Sequence, residues 1–81
     1  MMFFDMKFSS IVKQCINFRN SLIEDGYYVD SFKADTIRCC KHWVLKHHNG
    51  HMRFITLDCY ELTWYVTNEC GKTLIKLAAD A

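Results

Sequence analysis

The sequence contains no proline and only three glycines. Gly26, Gly50 and Gly71 stand apart from one another, so the chain has no glycine-rich loop of the kind that cradles a phosphate group. It also has no linker, no internal repeat and no low-complexity stretch. A chain of 81 residues without such boundaries predicts a single domain covering residues 1–81.

Long apolar runs and an excess of one charge are also missing. No apolar run approaches the roughly 18 residues that a membrane-spanning helix needs, so we expect no membrane partner. The apolar start Met1–Phe4 is broken at Asp5 and Lys7, and no secretory signal is predicted. Ten basic residues against nine acidic ones give a net charge of +1, which lacks the basic excess typical of DNA-binding domains.

The cysteines indicate a reducing compartment. Their number is odd and no predicted signal peptide precedes them, which favours free thiols and a cytoplasmic location. A disulfide between Cys40 and Cys59 is the alternative if the two residues face each other across a hairpin. The five cysteines are Cys15, Cys39, Cys40, Cys59 and Cys70.

An amphipathic helix is predicted at about residues 8–25, with its start capped by Ser9 or Ser10 or lying earlier, near Asp5. Apolar residues recur there at three- and four-residue spacings from Phe8 to Ile23, which places them along one stripe. Gly26 follows as a residue that can adopt the left-handed conformation closing a helix. The hydrophobic fraction of 51% supports a packed core against which this stripe lies.

The rest of the chain is typical of β structure. Strands are predicted at 36–48, 51–59 and 62–67, and Asn49-Gly50 between the first two favours a two-residue hairpin turn. Residues 73–77 form either a fourth strand, which we favour, or a short C-terminal helix. Residues 27–29 form a short strand or an extended entry. The predicted fold is α+β, with an N-terminal amphipathic helix packed on a three- to four-stranded antiparallel β-meander.

The two-residue turn fixes a predicted register. It pairs Leu45 with Phe54 and Trp43 with Thr56 on the face that the helix covers, where Trp64 joins them. On this prediction Trp43→Ala and Trp64→Ala are each severely destabilising, because each removes a buried aromatic side chain.

The opposite face of the hairpin is predicted to bind a partner. It combines an apolar patch with cationic residues near the turn, where Lys46 opposes Arg53 and His48 opposes His51. An exposed apolar patch rimmed by charge is typical of an interface. The predicted partner-binding residues are Val44, Lys46, His48, His51, Arg53, Ile55, Leu57 and Tyr65.

Residues for catalysis or metal binding do not form a recognisable site. His48 and His51 can reach one metal ion across the turn, but the four ligands of a structural zinc site are not found at suitable spacing. No motif in the sequence brings together a nucleophile, a base and an orienting group, as nucleophilic catalysis requires. The sequence therefore predicts a protein that is not an enzyme, with no metal and no cofactor.

The predicted function is that of a small non-catalytic binding module. The leading hypothesis is an inhibitor or regulator that acts by protein–protein contact, or by self-association, through the sheet face opposite the helix. The alternative is binding of RNA or another single-stranded nucleic acid through the basic hairpin tip and the same face. Against this alternative, only Tyr65 is placed there as an aromatic stacking residue.

Overall fold

The computed structural model describes the backbone of residues 2–78 and the side chains of residues 9–78. Within this range the chain forms one helix followed by five antiparallel strands in a single sheet of order β1-β2-β3-β4-β5. The elements are α1 Met2–Glu24, β1 Tyr28–Asp35, β2 Cys40–Lys46, β3 Met52–Asp58, β4 Thr63–Asn68 and β5 Thr73–Ala78. The predicted α+β class is confirmed, and the predicted strand at 73–77 is present.

The predicted number of three to four strands is wrong, because the sequence indicated only a short strand or extended entry at 27–29 where β1 runs from Tyr28 to Asp35. This strand is an exposed edge of the sheet, and its burial does not alternate, since every residue from Tyr28 to Ala34 is exposed. Its hydrogen bonds to β2 decide its structure, with Phe32 opposite Trp43 and Asp35 opposite Cys40. Such pairing is a tertiary effect that local sequence propensity does not report.

Helix α1 begins at Met2, before residue 8 and also before the alternative start near Asp5, although the side chain of Phe8 lies outside the described residues. The C-terminal end of α1 agrees with the prediction that Gly26 closes the helix. Gly26 adopts φ +103°, its N–H donates to the Ile23 carbonyl, and the Tyr27 N–H donates to the Leu22 carbonyl. These two bonds form a Schellman motif. No helix in the described part of the chain is both long enough and apolar enough to cross a membrane.

The hairpin between β2 and β3 differs from the prediction by one residue. The His47 N–H donates to the His51 carbonyl and the Gly50 N–H donates to the His47 carbonyl, so the loop contains three residues, His48, Asn49 and Gly50. Gly50 has φ +96°, which suits the left-handed position that closes a three-residue hairpin loop. The register then pairs Lys46 with Met52 and Leu45 with Arg53. His51 accordingly pairs with His47 and not with His48.

The one-residue change turns every β3 side chain to the other face of the sheet. Ile55 and Leu57, predicted to bind a partner, are instead 0% and 1% exposed beneath α1. Phe54, predicted in the core, lies on the opposite face together with Thr56. This correction decides which residues are available at the surface.

The core lies between α1 and one face of the sheet. Trp43 and Trp64 are buried there as predicted, and the ring of Phe18 from α1 lies 5.4 Å from that of Trp64. Since α1 covers only one side, the other side of the sheet is not covered by any described element. The buried core residues are Ile11, Cys15, Leu22, Trp43, Leu45, Ile55, Leu57, Trp64 and Val66.

Candidate functional site

The sheet face that points away from α1 is the candidate site, and we call it the open face. Alternation along the strands places Val44, Phe54 and Tyr65 on it, and Val44 and Phe54 are direct partners across β2 and β3. Tyr65 is opposite Thr56, the residue two positions beyond Phe54, so the two aromatic side chains are diagonal neighbours on β3 and β4. We define the open-face patch as Val44, Met52, Phe54 and Tyr65.

All four patch residues are half-buried, although no described element covers them. They shield one another across the strands, as neighbouring side chains on one sheet face do. The surface that they leave accessible combines aliphatic, thioether and aromatic groups. A surface of this composition can pack against another apolar surface.

A polar row crosses the open face beside this patch. The register aligns Lys33, His42, Thr56, Tyr65 and Lys76 from β1 to β5. His42 Nδ1 and Thr56 Oγ1 share a hydrogen bond of 3.2 Å in the middle of the row. The two lysines lie at the edges of the sheet, so positive charge flanks the patch.

Acidic groups also lie on the open face, beside Lys46 and Cys40. Lys46, predicted to bind a partner, lies on the open face and forms an ion pair of 3.4 Å with Asp30. At the end of the face nearest the β1–β2 loop, Asp35 and Asp58 lie beside Cys40. Partial burial, followed by the charges of Asp58 and Asp35, raises the pKa of the Cys40 thiol above its ordinary value. The open face therefore has no large excess of either charge.

The predicted basic hairpin tip is neutralised by Glu69 from the β4–β5 turn. His51 Nδ1 lies 2.8 Å from Glu69 Oε2, Arg53 Nη1 lies 3.4 Å from Oε1, and the Met52 N–H donates to Oε1 over 3.1 Å. The hydrogen bond from His51 lowers the pKa of Glu69 to about 2. Arg53 was predicted on the partner-binding face, but it lies on the helix side, with its guanidinium 5.5 Å from the Tyr27 ring centroid.

Two histidines at the tip have structural contacts. His47 Nε2 donates a hydrogen bond of 3.1 Å to the Asp25 carbonyl, and its ring lies edge-on to Tyr27 with centroids 4.9 Å apart. The ring of His48 lies 4.3 Å from that of His47. These contacts tie the hairpin to the C-terminal end of α1. His48 itself remains exposed at the loop.

The thiols do not form the predicted alternative disulfide. Cys40 is opposite Asp58 rather than Cys59, and all five cysteines are free. Cys15, on the side of α1 that faces the sheet, is fully buried, and this burial raises the pKa of its thiol to about 11. Within the described residues, no group of three or more His, Cys, Asp or Glu side chains is arranged to hold a metal ion.

Sequence reasoning missed two patch residues, Met52 and Phe54, because it assumed the wrong loop length. A signal for the correct register was present in the alternation itself. Pairing Trp43 with Ile55 places the strongest apolar residues of both strands on one face, whereas pairing Trp43 with Thr56 divides them. For Glu69 no local signal exists, since only the fold brings the β4–β5 turn beside β3.

No family model, curated protein or solved structure matches this chain. The open face is therefore interpreted from its own chemistry.

Proposed function

We propose that this protein is a binding module that contacts a protein partner through the open face. The observation that carries the proposal is the open-face patch, a group of apolar and aromatic side chains at the centre of a sheet that the described elements cover on the other side only. Apolar and aromatic side chains clustered in this way supply the central anchors of protein interfaces. A module that covers part of a larger protein in this way acts as an inhibitor or regulator of it.

The charges favour a protein over a nucleic acid as the partner. Binding to a phosphate backbone requires several unpaired cations, each replacing a counterion. On the open face Lys46 is paired with Asp30, and at the hairpin tip Arg53 and His51 are paired with Glu69. A second copy of the chain is one protein partner that satisfies the same chemistry.

Single-stranded nucleic acid is the second candidate function. It is favoured by one observation, the placement of Phe54 and Tyr65 as diagonal neighbours on adjacent strands, because sheet-face binders of single strands stack bases on two or three such rings. Lys33 and Lys76 at the edges of the sheet would then contact phosphates. The balanced charge of the face makes this the weaker candidate.

A pair of matched variants tests the proposal. Phe54→Ala removes an aromatic anchor from the open face, and Phe32→Ala removes an exposed aromatic side chain from the helix side of β1. Each protein is used as bait in host-cell extract, with and without nuclease, and is analysed by sedimentation velocity for self-association. Circular dichroism establishes that both variants are folded.

We expect a protein partner, or the dimer, to be retained by the Phe32→Ala protein and lost by the Phe54→Ala protein, with nuclease having no effect. Removing an interface anchor typically costs about 2 kcal/mol or more, which lowers affinity roughly 30-fold. A complex that is lost only after nuclease treatment would support the second candidate. A complex that survives both Phe54→Ala and Tyr65→Ala would contradict both functions of the open face.

A further inference from the structure

A cavity lies on the helix side of the sheet, away from the open face. Its volume is about 500 Å³, within the roughly 300–1,000 Å³ typical of small-molecule sites. Apolar walls come from α1, β1, β2 and β3, through Ile16, Phe32, Trp43 and Leu57 respectively. The rings of Phe32 and Trp43 pack together with centroids 5.1 Å apart. The cavity is thus an apolar cleft between α1 and the β1 edge of the sheet.

Two cations also line this cleft, and they come from opposite walls. Arg19 continues the helix stripe formed by Val12 and Ile16 at three- and four-residue spacing. Lys41 occupies a β2 position on the same face as Trp43, opposite Leu57, where alternation would place an apolar residue. Both positive groups therefore border a space that is otherwise apolar.

Neither cation is paired with a carboxylate among the described side chains. The Arg19 guanidinium donates to the Asn20 side-chain oxygen over 2.9 Å and lies 5.8 Å from the Trp43 ring centroid. Lys41 Nζ has a weak contact of 3.9 Å with Cys59 Sγ. By contrast, Lys46 and Arg53 elsewhere in the sheet have acidic partners. The cleft consequently offers two positive groups with free hydrogen-bonding capacity.

We propose that this cleft binds a small amphiphilic carboxylate, such as a medium-chain fatty acid. The apolar tail packs against Ile16, Phe32 and Trp43, where each buried methylene is removed from water. The carboxylate lies between Arg19 and Lys41, whose charged hydrogen bonds are stronger than neutral ones. A guanidinium presents two parallel donors that match a carboxylate, and the lysine adds a second positive charge. This activity is separate from the proposed function of the open face.

The test is a titration of the full chain with decanoate, kept below its micelle concentration, followed by NMR. The two tryptophans provide an internal control, because Trp43 lines the cleft and Trp64 does not. We expect saturable shifts at the Trp43 indole N–H with little change at Trp64. Decanol and decylamine serve as neutral and cationic probes with similar tails, and we expect each to bind at least about tenfold more weakly than decanoate.

Charge variants complete the experiment. Arg19→Gln combined with Lys41→Gln should remove most of the preference for decanoate over decanol. Lys33→Gln, on the other face of β1, should leave that preference unchanged. Equal binding of decanoate and decanol to the wild type, shifts that are as large at Trp64 as at Trp43, or a charge variant that keeps the full preference would each overturn the proposal. Phe54→Ala should not affect decanoate binding, so failure of the open-face function is distinguished from failure of this one.

Discussion

Neighbouring residues of β3, Ile55 and Phe54, are expected to respond very differently to truncation. Ile55 is 0% exposed and lies opposite Trp43 on β2 and Val66 on β4, so Ile55→Ala leaves a cavity in the centre of the core. Such a change costs about 2–5 kcal/mol. Phe54 is only half-buried on the open face. Phe54→Ala should therefore cost about 1 kcal/mol, less than the roughly 1.5–3 kcal/mol gained by burying a whole side chain.

The measurement is urea denaturation followed by tryptophan fluorescence. At about 0.05–0.15 kcal/mol per residue, an 81-residue chain has a total stability of roughly 4–12 kcal/mol. With a slope near 1 kcal/mol per molar urea, Ile55→Ala lowers the midpoint by about 2 M or more, and Phe54→Ala lowers it by about 1 M. Ile55→Val is the conservative control and should cost about 0.5–1.5 kcal/mol.

The order of the two effects tests the register directly. A two-residue turn would put Phe54 in the core opposite Leu45 and would leave Ile55 at the surface. A larger loss for Phe54→Ala than for Ile55→Ala would therefore refute the three-residue loop. It would also remove Phe54 from the open face, and with it the main anchor of the proposed interface.

Three further predictions follow from the turns, the acid-sensitive contact and the buried thiol. Gly26→Ala should lower the denaturation midpoint more than Gly50→Ala. Both positions have positive φ, which costs an alanine roughly 1–2 kcal/mol, but a methyl group at Gly26 would also lie 2.8 Å from His47 Nε2. Equal losses of stability in the two variants would contradict that contact. The pKa of Glu69 in the folded protein is about 2, below its ordinary value of 4.5, so the unfolded chain takes up the proton first and stability falls as the pH falls from about 4.5 towards 2. Glu69→Gln should flatten that decline when stability is measured across this pH range. An unchanged slope would argue against the contact with His51. Cys15 should resist alkylation by iodoacetamide in the native protein, because its thiol is buried and has a pKa of about 11. Peptide mapping that finds Cys15 alkylated as fast as the exposed cysteines would be inconsistent with its burial.

The sequence by itself determined the elements whose signals are local. The apolar stripe of α1 and the closing Gly26 depend on residues within a few positions of one another, and helix spacing and left-handed φ are both short-range properties. The β-rich composition after residue 36 and the turn at Asn49-Gly50 are local in the same sense. The sequence also predicted the burial of Trp43 and Trp64, since alternation within a strand determines which residues share a face.

Only the tertiary structure decided which face β3 presents and which charges meet. Loop lengths of two and three residues are compatible with nearly the same turn sequence, yet they turn Phe54 and Ile55 to opposite sides of the sheet, because side chains alternate with a period of two. The edge strand β1 is held by its hydrogen bonds to β2, and Glu69 reaches His51 only because the sheet brings β4 beside β3. These contacts join residues far apart in the sequence, and packing of the apolar side chains beneath α1 selects the register that makes them.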